Sequence, residues 1–571
     1  MFAQAITHKV ADIYGQEQAP QITEAILALI DKWQGKAPAY PAWVDQTTSY
    51  LITYGDSISE NGKPTLATLK TFADKYLKGA ISNIHILPMF PYTSDDGFSV
   101  VDYRKVDPNL GDWDELNALA EHFNLMYDCV INHISKSSDW FQGYLAGDER
   151  YQDYFVESDP SLDYSSVTRP RALPLLTPFT KANGETAHVW TTFSDDQIDI
   201  NFANPQILLE SIDILLMYAA NGGRSIRLDA IGFIWKVLGT SCIHLPQAHD
   251  IIKLWRLVLD IAASGTLLIT ETNVPHPENV AYFGNGDEAH MVYQFPLPPL
   301  TLHAFLAEDS SVLTQWAEGL TREAMENLSA GRQTTYFNFL ASHDGIGVRP
   351  TEGILTDADR QFMCSEVERK GGRVNYKHNG DGTQSPYELN INYLSAITEP
   401  SDTDGDKARK FLAAQSLLLS FIGVPAIYYH SFLGSENDIA GMETSGINRR
   451  INREKFSLDE LENELNSHGS LRQQVYGEMI KLLNLRQQHS AFSPLSKQTV
   501  LNLGKGVFGL IRGEGETRIT YILNLTSQPQ QVALAQGGTD LISGETFAPQ
   551  STLAPYQFIW LAPNSNQQHE Q

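Results

Sequence analysis

From residue 48 onward the chain switches repeatedly between two hydrophobic periods. Short apolar runs predict strands at Tyr50–Tyr54, Ile84–Leu87, Leu125–Ile131, Ile226–Asp229, Leu267–Glu271, Met291–Phe295, Phe337–Ser342 and Pro425–Tyr429. Between most of them apolar residues recur every three or four positions, which predicts helices such as Leu66–Tyr76, Asp114–Phe123, Ile207–Ala220 and His249–Ala262. Alternating strand and helix units build a parallel sheet, and eight of them suggest a closed ring. The expected fold is α/β, a (β/α)8 TIM barrel, whose chemistry gathers at the C-terminal ends of the strands.

Three regions depart from this rhythm. Residues 1–47 read as a helical extension, with Ile22, Ile26, Leu29 and Ile30 on one face and Pro38 and Pro41 at its end. Two connections are too long for simple crossovers, so residues 134–201 and 345–410 are expected to form subdomains inserted after strands 3 and 7. The barrel then comprises 48–133, 202–344 and 411–493. Residues 494–571 carry short strand patterns (Val507–Ile511, Arg518–Leu523, Gln557–Leu561) and predict a C-terminal β domain, with a polar, disordered tail at Pro563–Gln571. No internal repeat is visible.

Composition narrows the partners. A net charge of -27 argues against nucleic acid and anionic membranes, and leaves small-molecule substrates. An anionic substrate would need a local cluster of cations. Cys129, Cys242 and Cys364 match no disulfide or zinc spacing. With no basic-then-apolar start at Met1–Gly15 and no apolar run of membrane-spanning length, a cytoplasmic protein is expected, as a monomer or a homodimer.

The candidate chemistry sits at the predicted strand ends. In Ser225–Ala230 (SIRLDA), Ile226 and Leu228 face one way and Arg227 and Asp229 the other, since side chains alternate along a strand. An arginine favours the ionised form of a neighbouring carboxylate, and an ionised carboxylate can act as a nucleophile. A structural ion pair is the simpler reading of one Arg-x-Asp. Yet the second strand leads to Asp95-Asp96-Gly97-Phe98, the third ends in Asn132-His133, the fifth in Glu271 and the seventh in His343-Asp344. Ionisable residues on five separate strand ends point to an active site.

Together, Asp128-x-x-x-Asn132-His133, Arg227-x-Asp229, Glu271 and His343-Asp344 resemble the signature regions of the α-amylase superfamily (glycoside hydrolase family 13). Pro91–Tyr103 (PYTSDDGFSVVDY), Thr240–Leu245 (TSCIHL), Ser342–Val348 (SHDGIGV) and Gly423–Tyr429 (GVPAIYY) look like its sucrose phosphorylase group. Arg169–Phe179, Trp190–Asp199 and Thr270–His276 are most similar to the glucosylglycerate phosphorylases in that group.

The resemblance implies a hexosyltransferase that cleaves 2-O-α-D-glucosyl-D-glycerate with phosphate, giving α-D-glucose 1-phosphate and D-glycerate with retention. It implies Asp229 as nucleophile, Glu271 as general acid/base and Asp344 as stabiliser of the transition state. Asp95, Phe98, His133, Phe193, Arg227, His343 and Arg453 are implied for the glucose subsite. Arg171 matches a phosphate-contacting arginine of the sucrose enzymes. A tyrosine expected four residues after the nucleophile is Phe233, so that hydroxyl is missing, and Arg349, Lys377 and Glu388 are candidates to complete the acceptor side. No metal and no cofactor is implied. The spacing Asp402-x-Asp404-Gly405-Asp406 lacks the glutamate of a calcium loop and reads as a turn. His244, His249 and Arg449-Arg450 read as structural or solvated. Rival readings are glucosylglycerol, sucrose or sucrose 6'-phosphate phosphorylase, then an α-glucoside hydrolase or transglucosidase, and last a non-catalytic binding barrel, which has no need of the full acidic set.

Overall fold

The computed structural model describes residues 1–379 and 381–564, so most of the tail expected to be disordered lies outside the described residues. Eight parallel strands close a barrel: β1 Tyr50–Thr53, β2 Asn83–Ile86, β3 Asn124–Cys129, β4 Gly223–Asp229, β5 Leu267–Glu271, β6 Met291–Tyr293, β7 Thr335–Asn338 and β8 Val424–Tyr428. They pair in chain order, and β1 closes the ring on β8. Every residue of β1, β2, β4, β6, β7 and β8 is buried, as befits strands covered by helices outside and filled by side chains inside. The inside is partly polar: the Tyr50 hydroxyl of β1 meets Ser225 Oγ of β4 across the barrel at 2.6 Å.

β7 stops four residues short of the expected Ser342. Its ladder to β8 ends at the pair Asn338–Pro425, where proline offers no N–H to continue. Phe339–Ser342 are thereby released from the sheet and line the central cavity instead. The expected helices are present, with their starts marked in the sequence. Pro205 opens Pro205–Ala220 behind an Asn204 cap that accepts from the Gln206 N–H, and Asp112 with Glu115 forms a capping box on Trp113–Ala120.

Between β3 and β4 lie the helix Asp139–Ala146, the hairpin Leu176–Thr180 with Thr186–Trp190, and the strand pair His133–Ser135 with Gln197–Asp199. Between β7 and β8 a three-stranded antiparallel sheet (Ile346–Gly347, Gln384–Asn390, Arg373–His378) is backed by the helix Asp357–Arg369. Both insertions rise over the C-terminal ends of the strands.

The N-terminal region is a helical pair, α1 Phe2–Tyr14 and α2 Ala19–Trp33, broken where Gly15 takes a φ of 92°. α2 ends at Trp33, before the prolines expected to stop it. Ile6, Val10, Ile22, Ile26 and Ile30 are buried, and the pair packs on the helices Pro205–Ala220 and Pro246–Ala262 that flank β4. At the other end of the chain, a six-stranded sheet from Gln498 to Ala562 stands beside a two-stranded one. Among the described residues no helix is long and apolar enough to cross a membrane.

Candidate active site

Ser225, Arg227 and Asp229 project into the barrel because they share one face of β4. Arg227, 2% exposed, is the hub. Its Nη1 donates to Asp128 Oδ1 at 2.6 Å and to Asp229 Oδ1 at 2.9 Å, its Nε donates to the Tyr293 hydroxyl at 2.9 Å, and its Nη2 lies 3.8 Å from Glu271 Oε2. His85 Nε2 sits 2.7 Å from the second oxygen of Asp128. Asp229 and Glu271 are register partners on neighbouring parallel strands. Their side chains therefore enter the barrel side by side, with the carboxyls 2.9 and 3.8 Å from the same guanidinium, and retaining glycosidases need two such neighbouring carboxyls. The backbone N–H of Ala230, in the left-handed region at φ 48°, donates to Glu271 Oε2 at 3.2 Å.

The titration follows from burial and from how one cation is shared. Burial, opposed by Arg227 and aided by Asp128, pushes the Asp229 carboxyl up to about 6. Burial raises Glu271 to about 7, again against Arg227, with the charges of Asp229 and Asp344 adding to it. The repulsion between the carboxylates is thus present but second to burial. Asp344 behaves in the opposite way. Burial disfavours its charge, but His343 and then Arg449, Arg453 and Arg227 hold its carboxyl well below the usual range. Burial drives His343 down to about 3, so at neutral pH this imidazole is uncharged and the arginines carry the effect.

A cavity of about 430 Å3 opens onto these groups. Of the residues expected in the glucose subsite, Asp95, Phe98, His133, Phe193, Arg227 and His343 line it. Phe98 stacks on His343 with centroids 5.1 Å apart, His133 Nε2 lies 2.9 Å from the Phe98 carbonyl, and Gln197 Nε2 donates to Asp95 Oδ2 at 3.0 Å. Arg453 does not line the cavity. It stands one layer behind, donating from Nε to the His343 carbonyl at 2.7 Å and pairing with Asp96. On the acceptor side Arg171, Arg349, Glu388 and Phe233 line the cavity, and Lys377 does not, since its side chain is exposed. Phe233 meets Phe193 edge-on at 5.5 Å, and the Arg171 guanidinium lies over the Phe193 ring at 5.7 Å.

Profile and relative comparisons place this geometry. A profile of the alpha amylase catalytic domain matches residues 61–352. The chain is 47% identical to glucosylglycerate phosphorylase of Allomeiothermus silvanus, over 98% of both chains. It is 45% identical to that of Spirochaeta thermophila, over 96% of this chain and 97% of the relative. The chain belongs to the alpha-amylase family, in the glucosylglycerate phosphorylase group. Sucrose phosphorylase of Streptococcus mutans is 31% identical over 77% of this chain and 88% of its own. The crystal structure of sucrose 6F-phosphate phosphorylase from Thermoanaerobacter thermosaccharolyticum superposes with a TM-score of 0.73 at 24% identity, covering 90% of this chain and 98% of that one, and so shares the fold.

Two residues read from the sequence as structural belong to the cavity wall of this alpha-amylase family member. Arg449 pairs with Asp344 and with Glu388, each at 2.9 Å, and Glu388 also accepts from the Gly345 N–H. His244 lines the acceptor side, held by the Tyr282 hydroxyl and by Glu278 at 3.1 Å. His249 matches the structural reading, paired with Glu288 at 2.6 Å. Asn132 and Asp199 hold the Lys236 ammonium at 3.4 and 2.9 Å, so their oxygens serve a side-chain cation.

Proposed function

We propose that this protein is a retaining glycoside phosphorylase that converts 2-O-α-D-glucosyl-D-glycerate and phosphate to α-D-glucose 1-phosphate and D-glycerate. The observation that carries this reading is the likeness, over nearly the whole of both chains, to relatives named glucosylglycerate phosphorylase. In the first step an Asp229 oxygen attacks the anomeric carbon as its bond to glycerate breaks, and Glu271 passes its proton to the departing glycerate oxygen. In the second, a phosphate oxygen attacks the β-glucosyl ester, Asp229 leaves, and Glu271 takes the phosphate proton. Asp344, held ionised by its arginines, faces the positive charge that develops on the sugar. Asp95, His133 and His343 hydrogen-bond the glucose, Phe98 and Phe193 give it apolar faces, and Arg453 acts through His343 and Asp96.

Both acceptors are anions. Of the four arginines lining the cavity, Arg227 and Arg449 are paired with carboxylates, whereas Arg171 and Arg349 have no carboxylate partner among the described residues. Arg349 Nε is buried without a hydrogen-bond partner. These two cations supply the anion site, and Glu388 sets the position of Arg449 beside it. Three buried, unpaired cysteines favour the reducing cytoplasm, where phosphate and sugar phosphates are at hand.

The test supplies α-glucose 1-phosphate with glycerate, glycerol, fructose, fructose 6-phosphate or water alone, and follows phosphate release. Glycerate should give the fastest release. Preference for another acceptor reassigns the substrate, and release no faster than with water overturns the phosphorylase reading. Asp229→Ala should lower every transfer by on the order of 10⁴-fold or more, and Arg171→Ala or Arg349→Ala should raise the KM for phosphate while leaving slow hydrolysis of the donor intact.

A further inference from the structure

One wall of the cavity is a single loop, residues 230–245, which follows β4. Phe233, Ser241, Ile243 and His244 of this loop line the cavity. The loop is strained: Ala230, Cys242 and His244 adopt left-handed conformations with φ of 48°, 54° and 56°. Each such residue costs on the order of 1 kcal/mol and persists only where surrounding contacts over-determine it. Besides the hold of Tyr282 and Glu278 on His244, those contacts come from three directions. From the insertion after β3, the Thr168 N–H donates to the Ser241 carbonyl at 2.8 Å. From beneath, Lys236 reaches Asp199 at 2.9 Å. From outside, the last residue of α1 arrives: the Tyr14 ring meets Trp235 edge-on with centroids 6.0 Å apart, and its hydroxyl donates to the Phe202 carbonyl at 2.7 Å.

Trp235 is the neighbour of Lys236, and Phe202 lies three residues past Asp199. Tyr14 therefore bridges, on the outer side, the same two segments that the Lys236–Asp199 pair joins on the inner side. We infer that Tyr14 is a positioning residue for the acceptor half of the active site, and that the N-terminal helical pair holds the 230–245 loop in its strained form through Trp235. The pair is itself anchored beside β4, since Trp33 Nε1 and Lys32 Nζ both reach Asp213 of the helix Pro205–Ala220, at 2.8 and 2.9 Å. Phe233, two residues before Trp235, is the position whose hydroxyl is missing, so the rigidity of the backbone there bears directly on which acceptor fits. The inference rests on the proposed function only for the identity of that acceptor.

The test compares wild type with Tyr14→Phe, Tyr14→Ala, Trp235→Ala and the Tyr14→Ala/Trp235→Ala pair. α-Glucose 1-phosphate is the donor, glycerate is varied, and donor hydrolysis by water is measured in parallel. Tyr14→Ala should raise the glycerate KM at least fivefold and change donor hydrolysis less than twofold, with Tyr14→Phe in between. The double variant should lose less than the sum of the two single losses, because both remove the Tyr14–Trp235 contact. Hydrogen exchange should speed up in residues 230–245 of Tyr14→Ala and stay unchanged in the strand ends on the far side of the barrel. A Tyr14→Ala enzyme with a lower Tm but an unchanged glycerate KM overturns the inference, as do equal losses toward glycerate and water. Should Tyr14→Ala not fold, Tyr14→Leu keeps the bulk, removes the hydroxyl and aromatic edge, and is read in the same way. If wild type prefers another acceptor of the panel, the proposed function fails and this comparison is made with that acceptor. If it uses none, the exchange measurement decides.

Discussion

One guanidinium serves three carboxylates at the centre of the barrel: Arg227 donates to Asp128 and Asp229 and lies 3.8 Å from Glu271. Burial pushes Asp229 and Glu271 up to about 6 and about 7, and this one shared cation offsets it only in part. Catalysis needs Asp229 ionised and Glu271 protonated. The profile of kcat/KM for phosphorolysis should therefore be a narrow bell, rising through about pH 6 and falling through about pH 7, with the two limbs belonging to the pair as a whole. A flat profile across that range, measured under buffers of constant ionic strength, would count against these roles. The same shift has a stability consequence. Glu271 is favoured protonated in the fold, so the stability it contributes is present below its unfolded value of 4.5 and lost as pH rises through about 7. Glu271→Gln does not titrate, so it should unfold at a higher temperature than wild type near about pH 8, by on the order of 2 kcal/mol, with the difference closing near about pH 5. An equal or lower Tm at the alkaline end would contradict the buried, charge-crowded setting given to Glu271.

At the scale of elements, the alternation along β4 made Arg227 and Asp229 legible, because residues that alternate with the outward-packed Ile226 and Leu228 must face the barrel interior. The period of two fails at Lys377. Asn375 points inward to Glu388 and Asn448, and a period of two would bring Lys377 to the same side. A bulge between Asn375 and Tyr376 breaks that period, and Lys377 turns to solvent. Arg449 was illegible for another reason. Its place is set by Glu388, on a strand of the insertion 61 residues earlier, and no local pattern reports such a meeting. Its position four residues before Arg453, a residue implied for the glucose subsite, was the available signal. Two other buried arginines are structural. Arg486 donates to the Leu419 carbonyl and Arg512 to that of Ser420, closing the C-terminal end of the helix Asp404–Ser420 without any carboxylate. Arg512→Ala would leave the Ser420 carbonyl buried and unpaired, and the Ser493 carbonyl with the Ser496 N–H as its remaining donor. It should lower stability by about 3 kcal/mol, seen as a lower Tm with unchanged kcat per folded enzyme, and an unchanged Tm would refute this capping role.

Across the whole molecule, the cavity is assembled from parts that each carry one task. The barrel supplies the acids, the insertion after β3 supplies Arg171 and Phe193, and the insertion after β7 supplies Arg349 and Glu388. The barrel and its catalytic ends were readable because strand–helix alternation and the strand-end motifs are local. The acceptor side was not, because it depends on how two insertions and the N-terminal helices close on one loop. The central claim, glucosyl transfer to phosphate with retention, is tested most directly by NMR of the first product formed from 2-O-α-D-glucosyl-D-glycerate and phosphate. The account predicts α-D-glucose 1-phosphate and glycerate in equal amounts from the earliest time point. β-D-glucose 1-phosphate would contradict the double displacement at Asp229, and free glucose as the main product would contradict phosphorolysis itself.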